Sequence, residues 1–445
     1  QKIRKQVHIR IIGDYDVDGV TSSHLFLTAL RRVGAKVDVV IPHRIQDGYG
    51  LSLHLLQQAK EDGVDTILTC DNGIAAIDEI AWAKAQKMTV LVTDHHAVPF
   101  EEHEGRRTEK KSLADAVVNP HQQDCGYPYK ELCGAGVAWN VIRVLYENYD
   151  MDKREAEDLL DFVAMATVCD VMSLTGENRI LVKEGLKRIR HTKNIGLQAL
   201  MQACNVQPEN ISAYHFGYVL GPCVNATGRL DTARHALRLF ETGQETEAEE
   251  IARDLVDLNQ ERKEMTLQGV EMAKKLCEEG GYENDPVLVL FLPDVHESIA
   301  GLIAGRIREM YNRPVFVLTR GEEGVKGSGR STENYSMYEN MCGCAELFTK
   351  FGGHPMAAGL SLPEENVEKF RRKINENCPL TVEEVCPDIH IDMAMRVGYA
   401  STELVHQFAL LEPFGKDNPS PLFADRNLSI SRMWLIGKNR NVLRM

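Results

Sequence analysis

Val7-His8-Ile9-Arg10-Ile11-Ile12-Gly13-Asp14-Tyr15-Asp16-Val17-Asp18-Gly19-Val20-Thr21-Ser22 decides the fold class. A short apolar run ends in a glycine and alternating carboxylates, and helical spacing follows. Strand, turn and helix in that order open a βαβ unit. The pattern recurs: Thr66 to Thr69 leads to Asp71-Asn72-Gly73, and Val90 to Thr93 leads to Asp94-His95-His96. Strands are predicted over 7–12, 37–41, 66–70, 89–93 and 115–118, with helices over 20–34, 51–62 and 75–87. This is an α/β chain with a doubly wound parallel sheet. In such a sheet the ligand cleft lies outside the carboxyl ends of the strands. A further carboxylate, Asp170, follows the apolar run Val163 to Cys169. Four acidic clusters in one cleft would repel each other strongly unless cations filled it. Oxygen ligands with one or two imidazoles suit manganese or magnesium better than structural zinc.

The chain has 445 residues, enough for two or three domains. No apolar run approaches the ~20 residues that span a bilayer, so no membrane association is expected. The start, Gln1-Lys2-Ile3-Arg4, is not a signal peptide, and the chain reads as a fragment cut at both ends. The 11 Cys include no CxxC, a reduced, cytoplasmic pattern of buried thiols without a chemical role. The net charge of −14 argues against a protein that merely coats nucleic acid. One stretch runs against it. Between Arg306 and Arg330 there are six Lys/Arg against Glu309, Glu322 and Glu323.

Residues 101–114 read as a charged surface loop, and 131–275 as mostly helical. Thr246 to Glu279 lacks Pro and mixes spaced apolar residues with many charges, the pattern of a long exposed connecting helix. A second α/β unit follows, with strands at 287–291 and 315–318, helices at 298–310 and 364–376, and glycine-rich interruptions at 324–331 and 352–359. From about 388 the texture is β-rich: Ile389 to Asp392 and Leu428 to Ser431 alternate like half-buried strands. The expected domains are 1–245, a connecting helix over 246–280, a smaller α/β domain over 281–385, and a truncated β-rich segment over 386–445.

Gly19 is expected to turn Asp16 and Asp18 toward one cation pair. Thr21 and Ser22 are expected to open a helix whose amides could receive phosphate. Asp71 is the candidate bridging carboxylate. Of His95 and His96, one is expected to ligate and the other to face substrate. Two divalent cations ~3.5–4 Å apart form the usual clamp for phosphodiester cleavage.

Asp16-Val17-Asp18-Gly19-Val20-Thr21-Ser22, Asp71-Asn72-Gly73, Asp94-His95-His96 and Asp170 together resemble the DHH phosphoesterase superfamily. Gly352-Gly353-His354-Pro355-Met356-Ala357-Ala358-Gly359 looks like the signature of its companion DHHA1 domain. Gly221 to Leu230 and Leu411 to Pro419 are similar to the RecJ family of single-strand-specific 5′→3′ exonucleases. The resemblance covers essentially the whole chain. It implies a DHH catalytic domain, a DHHA1 substrate-binding domain, the start of an OB-fold, and two Mn2+ or Mg2+ ions. Asp16, Asp18, Asp71, His95 and Asp170 would be ligands, joined by Asp14, and His96 would contact the scissile phosphate. Arg44, Asn225, Arg229, Ser328, Arg330, Gly353 and His354 would bind substrate. Ile12 stands where some members place a metal-binding His, and Cys223 where the RecJ-like pattern often has Arg.

The implied function is stepwise 5′→3′ hydrolysis of single-stranded DNA to mononucleotides in DNA repair and recombination. A monomer working with a helicase and a single-strand-binding protein is implied as well. The alternatives are a phosphodiesterase on short oligonucleotides or cyclic dinucleotides, a pyrophosphatase, and a non-enzymatic scaffold. The long helix and β-rich tail disfavour the first, Ile12 the second, and the complete set of carboxylates and both His the third.

Overall fold

The computed structural model describes every residue except 45, 46, 49, 104, 105, 283, 284, 322, 323, 382–388, 438 and 439. Glu104 and Gly105 of the expected loop, Glu322 and Glu323 of the basic stretch, and the expected boundary at 385/386 lie outside the described residues.

The first sheet holds β1 (Ile9–Ile12), β2 (Val37–Val40), β3 (Thr66–Cys70), β4 (Thr89–Thr93) and β7 (Ala116–Val118) in the order β2-β1-β3-β4-β7, every pair parallel. Between them run α1 (Val17–Arg32), α2 (Leu53–Glu61) and α3 (Ile77–Ala85). Strand residues alternate between two cores, as the period of two demands. Ile9, Ile11, Leu68 and Cys70 join α1 and the later helices. Ile12, Ile67, Val90 and Val92 pack on α2 and α3. The strand order reverses between β1 and β3, so the crevice opens there at the carboxyl ends. The expected charged loop is instead a hairpin, β5 (Phe100–His103) with β6 (Arg106–Glu109). Its backbone pairs Phe100 with Glu109 and Glu101 with Thr108, so the ladder forms in spite of the polar composition.

Helices α4 (Gly134–Glu147), α5 (Lys153–Glu157), α6 (Leu160–Cys169), α7 (Gly176–Ile189) and α8 (Ile195–Ala203) extend the first core. A single turn, α9 (Ala213–His215), and a π-helical turn (Phe216–Leu220) lead into α10 (Gly221–Leu230) and α11 (Arg234–Glu241). The 36-residue α12 (Glu245–Gly280) ends at Gly281 in the left-handed conformation, φ +67°. It is less exposed than expected. Ala248, Ile251, Ala252 and Leu255 pack into the first core, while Val270, Ala273 and Cys277 pack into the second unit.

The second sheet has the order β11-β12-β10-β9-β8, from β8 (Leu288–Phe291), β9 (Val315–Gly321), β10 (Gly324–Arg330), β11 (Lys350–His354) and β12 (Ala357–Leu362). Helix α13 (Ala300–Tyr311) crosses from β8 to its parallel partner β9 on the α12 face. Helices α14 (Met337–Cys342) and α15 (Val367–Glu376) cover the other face. Both glycine-rich interruptions are therefore strands. A Cβ on Gly327 would stand 2.3 Å from Leu318 Cδ2, and one on Gly329 would stand 2.4 Å from Met337 Sδ. These glycines make room for packing in a central strand.

The tail forms β13 (Met393–Ala394) parallel to β14 (Phe423–Ala424), α16 (Thr402–Phe408), and the hairpin β15 (Trp434–Ile436) with β16 (Val442–Arg444). Ile389 to Asp392 and Leu428 to Ser431 are not strands. Ile389, Ile391, Leu428 and Ile430 are exposed, so their alternation has no second layer to pack on.

Candidate metal centre and cleft

The turn after β1 carries Asp14 and Asp16, and the first turn of α1 carries Asp18, next to α4 and α10. Asp16 caps α1, its Oδ1 accepting from Gly19 N at 3.0 Å. The helix thus starts at Val17, and Thr21 and Ser22 are buried inside it. Its first amides are occupied: Val17 N donates to Asn225 Oδ1 at 3.1 Å. That helix end is no phosphate site. Gly19 supplies close packing and not a turn, since a Cβ there would lie 2.5 Å from the backbone of Asp14.

Asp18 is buried and held by the first turn of α4. Gly134 N donates to its Oδ2 at 2.6 Å and Ala135 N to its Oδ1 at 2.7 Å. Asp71 follows β3 with φ +62°, a conformation few non-glycine residues adopt. Its Oδ1 lies 3.1 Å from His95 Nε2. The same nitrogen is 3.7 Å from Asp18 and 3.5 Å from Asp170. Asp170 caps the C-terminus of α6, and Val171 turns the chain away at φ +54°.

Ligand atoms therefore gather in overlapping sets, each within 4.8 Å: Asp71, His95 and His96; Asp18, His95 and Asp170; Asp14, Asp16 and Asp71. Asp71 and His95 each belong to two sets. Both carboxylate oxygens of Asp14 are buried without a hydrogen-bond partner among the described residues. Burial of such a group is costly unless something compensates it. Burial, then the neighbouring carboxylates, pushes Asp14 and Asp71 well above the usual carboxylate range. Burial and the charges of Asp18 and Asp16 push Asp170 up to about 8. Burial lowers the His95 imidazole, favouring the neutral form that ligates. The donor set, carboxylates with one neutral imidazole, fits hard divalent cations.

Burial pushes His96 down, but its 2.7 Å contact with Asp94 Oδ1 and the surrounding carboxylate charge outweigh this and raise it to about 9. Asp94 also accepts from the amides of His95, His96 and Ile74. Sequence reasoning assigned Asp94 no role of its own and missed Gly134 and Ala135. The available signal was the small-residue run Gly134-Ala135-Gly136 opening an apolar helix.

Beside this centre, between the two α/β units, lies a cavity of about 420 Å³. Tyr15 and Arg44 line one side, and Ser298, Lys326, Ser328 and Lys350 the other. The Arg44 guanidinium lies over the Tyr15 ring, 4.8 Å from its centroid. Arg229 spans the units, its Nη1 donating to Ser298 O at 2.8 Å. A Cβ on Gly301, in the first turn of α13, would lie 2.9 Å from Arg330 Nη2 and 3.5 Å from Ser328 Cβ. Burial, then the charges of Arg44 and other arginines, lowers both Arg229, to about 10, and Arg330. Arg44 alone of the three lines the cavity; Arg229 and Arg330 stand behind it, Arg330 Nη1 donating to Gly329 O at 2.8 Å, and an anion there would relieve their mutual repulsion. Gly353 and His354 do not line the cavity. The hairpin places Lys350 to Gly352 there and leaves His354 exposed toward its turn. Gly353 is a packing residue, since a Cβ would meet Ala357 O at 2.5 Å.

Three family models match in succession: the DHH family N-terminal domain over 8–167, the DHHA1 domain over 284–378, and the RecJ OB domain over 391–445. The single-stranded-DNA-specific exonuclease RecJ of Haemophilus influenzae is 35% identical over 462 residues, covering 99% of this chain and 78% of its own. The chain belongs to the RecJ family. The RecJ of Bacillus subtilis is 34% identical over all of this chain, which spans 55% of that protein's length. The crystal structure of Thermus thermophilus RecJ in complex with Mn2+ superposes with a TM-score of 0.80 at 29% identity, over 97% of this chain and 62% of that one. The segment Leu411 to Pro419 returns to the end of α6 beside Asp170. Lys416 O accepts from Leu174 N at 2.9 Å, and the Lys416 charge acts on Asp170.

Proposed function

We propose that this chain is a divalent-cation-dependent exonuclease that releases nucleotides from the 5′ end of single-stranded DNA. One observation carries the reading: Asp14, Asp16 and Asp71 form one ligand set and Asp18, His95 and Asp170 another, with Asp71 Oδ1 3.1 Å from His95 Nε2 between them, beside a cavity lined by Arg44, Lys326 and Lys350. The Haemophilus and Bacillus relatives, both single-stranded-DNA-specific exonucleases, support the substrate, and the Mn2+-bound Thermus relative supports the cation.

Asp14, Asp16, Asp18, Asp71, His95 and Asp170 would hold two Mn2+ or Mg2+ ions. When bound, such a pair neutralises charge in an in-line displacement and makes water nucleophilic at neutral pH. The amides of Gly134 and Ala135 fix Asp18, so the site is organised before substrate arrives. His96, held protonated by Asp94, donates to an oxygen of the scissile phosphate. Arg44, Arg229, Ser328 and Arg330 bind the terminal phosphate, and Tyr15 orients Arg44. Asn225 acts by positioning the Asp14–Asp18 loop.

Domains over 1–245, 281–385 and 386–445, joined by the helix over 246–280, form part of this proposal. So do a monomeric state, action in the cytoplasm in repair and recombination, and a helicase and single-strand-binding protein that supply unpaired strands. The test is a manganese digestion panel of linear single-stranded, duplex, circular and cyclic-dinucleotide substrates. Rapid loss of the linear single strand alone is expected. Preferential hydrolysis of the cyclic dinucleotide would overturn the reading.

A further inference from the structure

Away from the metal centre, two thiols face each other where three helices meet. Cys204 caps the end of α8, Cys223 lies in α10, and their Sγ atoms are 3.7 Å apart. Asn259 of α12 donates its Nδ2 to Cys223 Sγ at 3.3 Å. Arg262, whose Nε donates to Asn259 Oδ1 at 3.1 Å, and Lys263 add positive charge from the same helix. The hydrogen bond from Cys204 lowers Cys223, against burial, while the same contact and burial raise Cys204. Cys223 Sγ also donates to Val219 O at 3.3 Å, so both sulfurs rest as thiols, and the Asn259 amide with the Arg262 and Lys263 charges favours loss of the Cys223 proton first. Cys223 is buried and Cys204 half-buried, so a small reagent approaches from the Cys204 side.

Helix α10 is also the helix that braces the metal loop. Asn225 accepts from Val17 N, Gly228 lies so close that a Cβ would meet Tyr15 O at 2.4 Å, and Arg229 reaches Ser298 O. A disulfide needs sulfurs about 2.05 Å apart, so α8 and α10 must draw together. We propose that Cys204 and Cys223 form a hydroperoxide-sensitive dithiol whose oxidation to a disulfide slows hydrolysis by shifting α10 against the Asp14–Asp18 loop. The effect on hydrolysis rests on the exonuclease reading above; the chemistry of the pair does not.

The Cys223 sulfur attacks one peroxide oxygen, the O–O bond breaks, and the leaving hydroxide takes a proton to become water. The Cys204 sulfur then attacks the sulfenic sulfur of Cys223, the S–O bond breaks, and a second water leaves with the Cys204 proton. Two thiols lose two protons and two electrons, and one hydrogen peroxide becomes two waters.

The full chain is treated with graded hydrogen peroxide under chelation and quenched. Its free thiols are alkylated and its peptides mapped by mass spectrometry, and hydrolysis of a 5′-phosphorylated single strand is assayed after manganese is restored. Exposed Cys342 serves as the reference thiol. The expected result is a 204–223 link, lighter by two hydrogens, that forms before Cys342 oxidises. Hydrolysis should fall about tenfold with it, given the cost of small misplacements, and dithiothreitol should restore it. Cys204→Ser should hydrolyse normally before treatment and show no thiol-reversible loss. Oxidised Cys342 without the link, a link with unchanged hydrolysis, or the same reversible loss in Cys204→Ser would each overturn the proposal. A chain that forms the link yet hydrolyses nothing before treatment would instead overturn the exonuclease reading.

Discussion

Gly134 donates its amide to Asp18 across 116 residues of sequence, and the carbon it lacks would occupy the place of Asp71: a Cβ there would stand 2.6 Å from Asp71 Cβ. One residue therefore fixes two carboxylates, one by a hydrogen bond and one by absence of a side chain. Gly134→Ala should lower hydrolysis by about a hundredfold, because ångström displacements of reacting groups cost that much. Manganese affinity, measured by calorimetry, should fall with it. Alanine is favoured over glycine in a helix by up to about 1 kcal/mol, so gross unfolding is not the expected cause. Wild-type kinetics in this variant would count against the arrangement.

The βαβ rhythm was legible because apolar runs alternate with helical spacing, and three of those runs end at carboxylate-bearing turns, after Ile12, Cys70 and Thr93. Asp14, Asp16, Asp18, Asp71, His95 and His96 could be singled out at those turns, and Asp170 at the end of an apolar run; the family resemblance supplied their roles. Their support could not be singled out. Gly134 lies on a helix far along the chain, and nothing local marks it as a partner of Asp18. The strands containing Gly327, Gly329 and Gly353 read as loops because their glycines are dictated by neighbouring Leu318, Met337 and β12, which only the folded sheet brings near. The starting point of α1 was misread because Asp16 serves as both cap and site residue.

Asp71→Ala should abolish hydrolysis at saturating manganese while circular dichroism stays native, since Asp71 serves the site and not the core. The carboxyls also set a pH dependence. Asp14, Asp71 and Asp170, the last at about 8, are raised in the fold relative to the unfolded chain. Their contribution to the cation-free fold is fully present below the unfolded carboxylate range and is lost as pH rises toward 8. Cations compete with those protons, so manganese affinity should rise over pH 6 to 8, with protons released on binding. Calorimetry in two buffers of different ionisation heat checks this; a pH-independent affinity would contradict it.

His96 should titrate near 9 in the cation-free protein, where Asp94 stabilises its protonated form. In Asp94→Asn the titration should fall toward the ordinary imidazole range of ~6.5. NMR of labelled imidazoles reads both values. An unchanged His96 titration in the variant would remove Asp94 from this role.

Arg330→Ala should weaken discrimination between 5′-phosphorylated and 5′-hydroxyl strands by about one to two powers of ten, the worth of one charge-assisted hydrogen bond. Ratios of kcat/KM for the two ends provide the measurement. An unchanged ratio would place the phosphate elsewhere.

In the proposed function an unpaired strand lies at the cavity between the two α/β units, and phosphate contacts there should weaken as salt rises. The most direct test uses a hairpin with a single-stranded 5′ tail, radiolabelled at its terminal phosphate, digested with manganese and no helicase. The account predicts that the first labelled product is a mononucleotide, that the tail shortens stepwise, and that digestion stalls at the duplex junction. Label kept on shortened strands, or equally fast digestion through the stem, would contradict it.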